Sequence, residues 1–211
     1  MLRLFFGLVA ALMLAACGAE PVWAPDEDVT RARYSHDGPA SITLFTVISN
    51  SSDSGAHSAL MIDASQRVVF DPAGTWYHPW APERNDVHFG ITPLVEQRYR
   101  EFHTRVTYRT VVQTLVVPPE VAERALRLAL DYGAVPKAHC ASSTSDILQQ
   151  LGFDTVPRSF FPRRVMEGFA RLPGVQTEEL RSDRPDNNLV LLAQRAREDA
   201  AALDARMMVA R

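Results

Sequence analysis

Apolar residues follow a few distinct rhythms along this chain, and each rhythm predicts an element. Residues 4–14 form an apolar stretch after Arg3 that is too short to span a bilayer. From residue 18 to about 40 the rhythm disappears. That segment is polar, carries Pro21, Pro25, Pro39 and the acidic cluster Asp26-Glu27-Asp28, and reads as a linker. Residues 42–48 are β-branched and aromatic, the pattern of a buried strand. A Ser- and Gly-rich loop leads to His57, after which residues 58–62 and 67–71 read as a hairpin joined across Asp63-Ala64-Ser65-Gln66. Residues 75–93 are aromatic and proline-broken without a period, and read as a long loop of the kind that is often functional.

The second half is more helical. Thr92-Pro93 opens a helix reaching about His103, with proline at the first helical position. Residues 106–117 carry the longest strand pattern. Pro118-Pro119-Glu120 ends it and starts a helix over 121–132 that Gly133 stops. A helix from Cys140 to its C-cap Gly152 follows, with further helical patterns over 162–172 and 187–208. The order predicts one α+β domain without internal repeats.

Composition narrows the function. The formal charge is −3 over 211 residues, and removing residues 1–16 with Arg3 leaves 195 residues at −4. That is enough chain for a sizeable core and gives no footprint for nucleic acid. No later apolar run is long enough to cross a membrane either.

The N-terminus resembles a bacterial lipoprotein signal peptide, with Leu14-Ala15-Ala16-Cys17 as its lipobox. The resemblance implies diacylglyceryl transfer to Cys17, cleavage before it, and acylation of the new amino terminus. Gly18, where an aspartate would favour retention at the inner membrane, implies an outer-membrane location in a Gram-negative envelope. The expected organisation is a signal peptide over 1–16, a lipidated linker over 17–40, and a single domain over 41–211 with a C-terminal helical extension. The expected partners are the membrane, through lipidated Cys17, and a peptide or lipid substrate.

Cys140 is then the only thiol left in the domain, so it has no internal disulfide partner. Cys140, Thr144, Ile147, Leu148 and Leu151 form one stripe of a helix, which puts the sulfur at the first turn on the packed face. The unpaired N–H groups of that turn favour a thiolate and can hold an oxyanion. A small buried hydrophobe is the alternative reading. Among six histidines, His57 begins a core strand and is the candidate base; His139 adjoins the cysteine without facing it, His36 lies in the linker, and His78, His88 and His103 are expected to be exposed or structural. With the three-residue loop 64–66, Asp63 pairs with Arg67, and Asp71 shares the face of His57. A four-residue loop would turn Asp71 to the other face, leaving it a turn residue of Asp71-Pro72-Ala73-Gly74.

These residues are similar to the circularly permuted branch of the NlpC-type papain-like superfamily, which includes relatives of lecithin:retinol acyltransferase and several bacterial lipoproteins. The similarity rests on His57-Ser-Ala-Leu-Met-Ile62, Val68-Val-Phe-Asp71 and His139-Cys-Ala-Ser-Ser-Thr-Ser-Asp-Ile-Leu148, and covers residues 42–152. In that branch the histidine strand precedes the cysteine helix, as here. The resemblance implies a permuted papain-like fold with an antiparallel sheet packed against the Cys140 helix and its neighbours. It also implies Cys140 as nucleophile, His57 as base and Asp71 as the third residue. This chain departs at His139, where many relatives carry Asn or Asp, and at Asp71, where the acyltransferase relatives carry His. The implied activity is a thiol hydrolase or acyltransferase cleaving an amide or ester of a peptidoglycan peptide or acyl lipid through an acyl-cysteine. A non-catalytic envelope lipoprotein using the same fold as a binding module is the alternative. Trp76, Tyr77, Trp80 and Phe89 are candidates to line a groove. No cofactor motif or metal-ligand spacing is present.

Overall fold

The computed structural model describes residues 18–187, 193, 195 and 197–201. The apolar run, Cys17 and part of the helical pattern at 187–208 lie outside the described residues; residues 193, 195 and 197–201 of that pattern are helical.

An antiparallel sheet forms the centre. In chain order its strands are β1 (Ser41–Ser49), β2 (Gly55–Asp63), β3 (Arg67–Phe70), β4 (Glu83–Arg84), β5 (Val87–Phe89), β6 (Tyr108–Val116) and β7 (Gln176–Leu180). They lie side by side in the order β4-β5-β3-β2-β1-β6-β7. The helices are α1 (Asp26–Ala32), α2 (Pro93–His103), α3 (Pro119–Tyr132), α4 (Cys140–Gln150) and α5 (Pro162–Phe169). The fold is α+β.

Both faces of the sheet are covered. On one, Leu44, Leu60, Ile62 and Phe70 pack against Leu126 of α3, Leu148 of α4 and Phe169 of α5. On the other, Phe45, Ala59, Met61 and Val69 pack against Val95 and Tyr99 of α2 and Trp76 of the loop after β3. Double burial is why β1 reads as a continuous apolar run rather than an alternation. Helix α2 starts as its sequence requires: the Thr92 hydroxyl accepts from the Val95 N–H at 3.3 Å, and Pro93 occupies the first turn. Helix α4 buries the expected stripe, with Thr144, Ile147 and Leu148 fully enclosed, and Gly152 ends it with φ of 87°.

Two segments hold more structure than their patterns suggest. The aromatic stretch 75–93 contains β4 and β5, joined by Asn85 and Asp86, both at positive φ. The polar segment 18–40 contains α1 and is pinned to the sheet edge. There the Ala24 N–H donates to Glu83 O at 2.9 Å, and the Arg84 guanidinium lies 4.6 Å from the centre of the Trp23 ring. Helix α1 buries no residue, so it leaves no apolar stripe in the sequence. Among the described residues no helix is long and apolar enough to cross a membrane.

Candidate active site

The site is built where a strand stops short. The β2–β3 hairpin has the three-residue loop, with Asp63 opposite Arg67 and Leu60 opposite Phe70. A buried 2.6 Å ion pair between Asp63 and Arg67 fixes that register. Strand β3 ends at Phe70, so the edge of β2 beside His57 and Ser58 has no strand next to it. The chain turns instead through Asp71-Pro72-Ala73-Gly74, closed by Gly74 N–H to Asp71 O at 2.9 Å. A Cβ on Gly74 would overlap the Asp71 Oδ2, so only glycine lets the carboxylate fold back over this turn. Asp71 is therefore both a turn residue and the partner of His57, with Oδ1 2.7 Å from Nε2.

Cys140 arrives from the other side of the sheet. Ser58, Leu60 and Ile62 face α4, whereas His57, Ala59 and Met61 face α2. The thiol thus meets the imidazole around the open edge of β2, not across a shared face as a histidine pointing at the helix would. The Ser58 hydroxyl, 3.0 Å from the Thr144 hydroxyl, joins strand to helix, and Thr144 also bonds Cys140 O at 3.1 Å. The backbone N–H groups of Ser58, which β3 does not reach, and of Ala141 donate to the sulfur. His57 hydrogen-bonds the same sulfur. Because Nε2 is committed to Asp71, Nδ1 is the nitrogen left for the thiol.

Electrostatics follow from this chain of contacts. Burial works against a charged His57, but the charge and hydrogen bond of Asp71, aided by Cys140, outweigh it and push the imidazole up to about 10. Burial would likewise raise the Asp71 carboxyl, yet His57, with His103 and His88, holds it well below the usual carboxylate range. Cys140 is lowered despite its burial, through the hydrogen bond and charge of His57 and the two N–H groups. The arrangement favours a charged imidazole and makes the thiol easier to ionise, with the Asp71 carboxylate as buried counter-ion.

Two further residues belong to the site, and linear patterning does not reveal them. Tyr99 of α2, 1% exposed, donates its hydroxyl to Asp71 Oδ1 at 2.5 Å, the same oxygen that His57 holds. Burial and Asp71 keep that phenol well above its ordinary pKa, so it remains a donor. His103, one turn on, donates Nδ1–H to Tyr99 O at 3.0 Å and stacks on His57 with centroids 5.6 Å apart and planes 6° from parallel. Burial, aided by the charge of His57, outweighs the upward pull of Asp71 and brings His103 down to about 4, so it is neutral beside the cationic His57. The available signal was the i, i+4 spacing of Tyr99 and His103 on the buried stripe of α2. His78 and His88 are also buried, the former 3.3 Å from Asp199. His57, Asp71 and His103 place potential ligand atoms within 4.8 Å of one another, a grouping that could hold a metal ion and that the spacing of the histidines in sequence does not indicate. A cation there would compete with the His57–Asp71 hydrogen bond.

A cleft of about 190 Å³ opens onto His57 and His103 between Val47, Ala73 and the Arg105–Tyr108 turn. The aromatic residues of the 75–93 stretch divide. Trp76 and Phe89 are core residues, Trp76 packing edge-on to Tyr99 at 5.1 Å. Tyr77 and Trp80, with Val22 and Ala32, line a separate cavity of about 520 Å³ to which Cys140, His57 and Asp71 contribute nothing. Compared with known proteins, the chain matches no family model, no curated protein and no solved structure.

Proposed function

We propose that this protein is a lipid-anchored envelope thiol hydrolase or acyltransferase of permuted papain-like type, acting on an amide or ester through an acyl-cysteine. The observation that carries the proposal is the continuous chain from the Asp71 carboxylate through His57 to the Cys140 sulfur at a helix N-terminus. That is the order of orienter, base and nucleophile that acyl transfer needs. His57 takes the S–H proton, and the thiolate attacks the carbonyl carbon while the C=O electron pair moves to oxygen. N–H groups of the first turn of α4 hold that oxyanion. Collapse expels the amine or alcohol, which leaves with the proton from His57. Water or an acceptor hydroxyl then gives its proton to His57, attacks the thioester and releases the acyl group, and the thiol is restored.

Trapping tests this directly. Intact-mass analysis after exposure to an activated acyl ester is expected to show one acyl adduct, absent in Cys140→Ser and slow to form in His57→Ala. Iodoacetamide alkylation of Cys140 is expected to rise at a lower pH than that of an ordinary thiol. A wild-type thiol with an ordinary profile and no adduct would favour a non-catalytic binding module on the same fold.

A further inference from the structure

Two adjacent phenylalanines, Phe160 and Phe161, are 59% and 64% exposed in the segment that leads into α5. Scattered single hydrophobes on a surface need no account, but a contiguous pair does. The segment is held in place: Ser159 N–H donates to the Ser145 hydroxyl of α4 at 3.1 Å, and Phe161 N–H to the Ser159 hydroxyl at 3.0 Å. The pair is flanked by Arg158, ion-paired to Asp146, by Arg163, paired to Asp53, and by Arg164, whose guanidinium lies 5.6 Å from the Phe161 ring centre. Arg164 is exposed and has no acidic partner among the described residues.

The start of the described chain lies at the same end of the molecule. Phe160 packs edge-on to His139 at 5.1 Å, and Lys137, two residues earlier, pairs with Glu20 at 2.9 Å. Glu20 is three residues from Cys17. Three residues span at most about 10 Å, so whatever is attached to Cys17 is held close to the turn that carries Lys137 and His139. We propose that Phe160 and Phe161 form a membrane-contacting surface that enters the headgroup region of an anionic phospholipid bilayer while Arg158 and Arg164 meet its phosphates. The inference rests on the lipid-anchored part of the proposed function. Exposed aromatics edged by arginine suit that interface, and a tether beginning beside the pair sets the orientation. Such a contact would bring the Cys140 site to headgroup level.

The test uses the full-length lipid-modified protein reconstituted into vesicles of phosphatidylcholine with phosphatidylglycerol, carrying Phe161→Trp or, in parallel, Phe160→Trp. The fluorescence added over the parent protein is expected to fall about twofold when the lipids carry shallow bromine labels, and less in phosphatidylcholine alone. Val116→Trp, at an exposed β6 position, is expected to remain unquenched. Arg158→Gln with Arg164→Gln should reduce the phosphatidylglycerol dependence. If the protein floats with the vesicles but both added tryptophans are unquenched, the surface is wrong while the anchor and the Cys140 chemistry stand. If it does not float, anchor and surface fall together, and acyl trapping on Cys140 still decides the catalytic reading.

Discussion

At the scale of single residues, the Asp71 carboxylate determines what the site can do, because one buried oxygen receives both His57 and Tyr99. Without its charge, burial would drive His57 toward the neutral form and return Cys140 toward an ordinary thiol. Asp71→Asn is therefore expected to cut acyl transfer strongly and shift the iodoacetamide–pH profile of Cys140 upward; an unchanged profile would remove Asp71 from the mechanism. The stability effect has a defined pH window. His57 is raised from 6.5 to about 10, so its contribution is complete below pH 6.5 and fades as pH climbs toward 10. Asp71 is depressed, so its contribution is complete above its ordinary 3.8 and fades on acidification. The melting-temperature gap between wild type and Asp71→Asn should be widest between those two ordinary values and narrow toward pH 10. Tyr99→Phe removes one charge-assisted bond, with an expected cost of about 1.5–3 kcal/mol by denaturant titration. Because Tyr99 positions Asp71 without touching substrate, kcat should fall with little change in KM. The common face of His57 and Asp71 was legible only on condition of a three-residue hairpin loop, which the sequence left open against a four-residue one and the register Asp63 opposite Arg67 supplies. Tyr99 and His103 were not, because no local pattern tells which strand a buried helix stripe will meet.

Among the elements, the joint between β2 and α4 carries the geometry. Ser58 and Thr144 are fully buried and bonded to each other, and Thr144 holds the Cys140 carbonyl. Thr144→Val keeps the volume but leaves a buried Ser58 hydroxyl without its partner, at an expected cost of about 1–3 kcal/mol. It should also slow Cys140 alkylation at neutral pH, since the thiol is no longer fixed against His57. A stability loss with an unchanged alkylation rate would show that the joint only packs. The elements legible in sequence were those with a long run, a periodic stripe or a cap: β1, β2, β3, β6, α2 at Thr92-Pro93, α3 between Pro118 and Gly133, α4 with its stripe, and α5 from Pro162. Those missed have physical reasons. β4 and β5 are two and three residues long, too short for any period. β7 is the polar edge strand Gln-Thr-Glu-Glu-Leu, exposed along most of its length. Charged residues protect such an edge from further pairing and also disguise it as a loop.

For the whole molecule, the decisive question is whether the proposed lipid anchor at Cys17 is made. The described chain starts beside Lys137 and runs along β4 before entering the fold, so a tether at Cys17 would act on the end of the molecule that carries Cys140. The apolar run over 4–14 is too short to remain as a membrane span, and Leu14-Ala15-Ala16-Cys17 resembles a lipobox. The mature protein is expected to begin at acylated Cys17 and to sediment with membranes. It should resist high-salt extraction but not detergent, because each buried methylene of the acyl chains contributes about 0.8 kcal/mol that ionic strength does not screen. Cys17→Ser should abolish the acyl mass and yield uncleaved precursor or a soluble form. In that variant Cys140 should keep its alkylation profile, since the groups that lower its ionisation are His57 and the backbone N–H groups of Ser58 and Ala141. Wild-type protein recovered soluble with an unmodified N-terminus would sink the lipoprotein reading and leave the Cys140–His57–Asp71 chemistry to be judged alone.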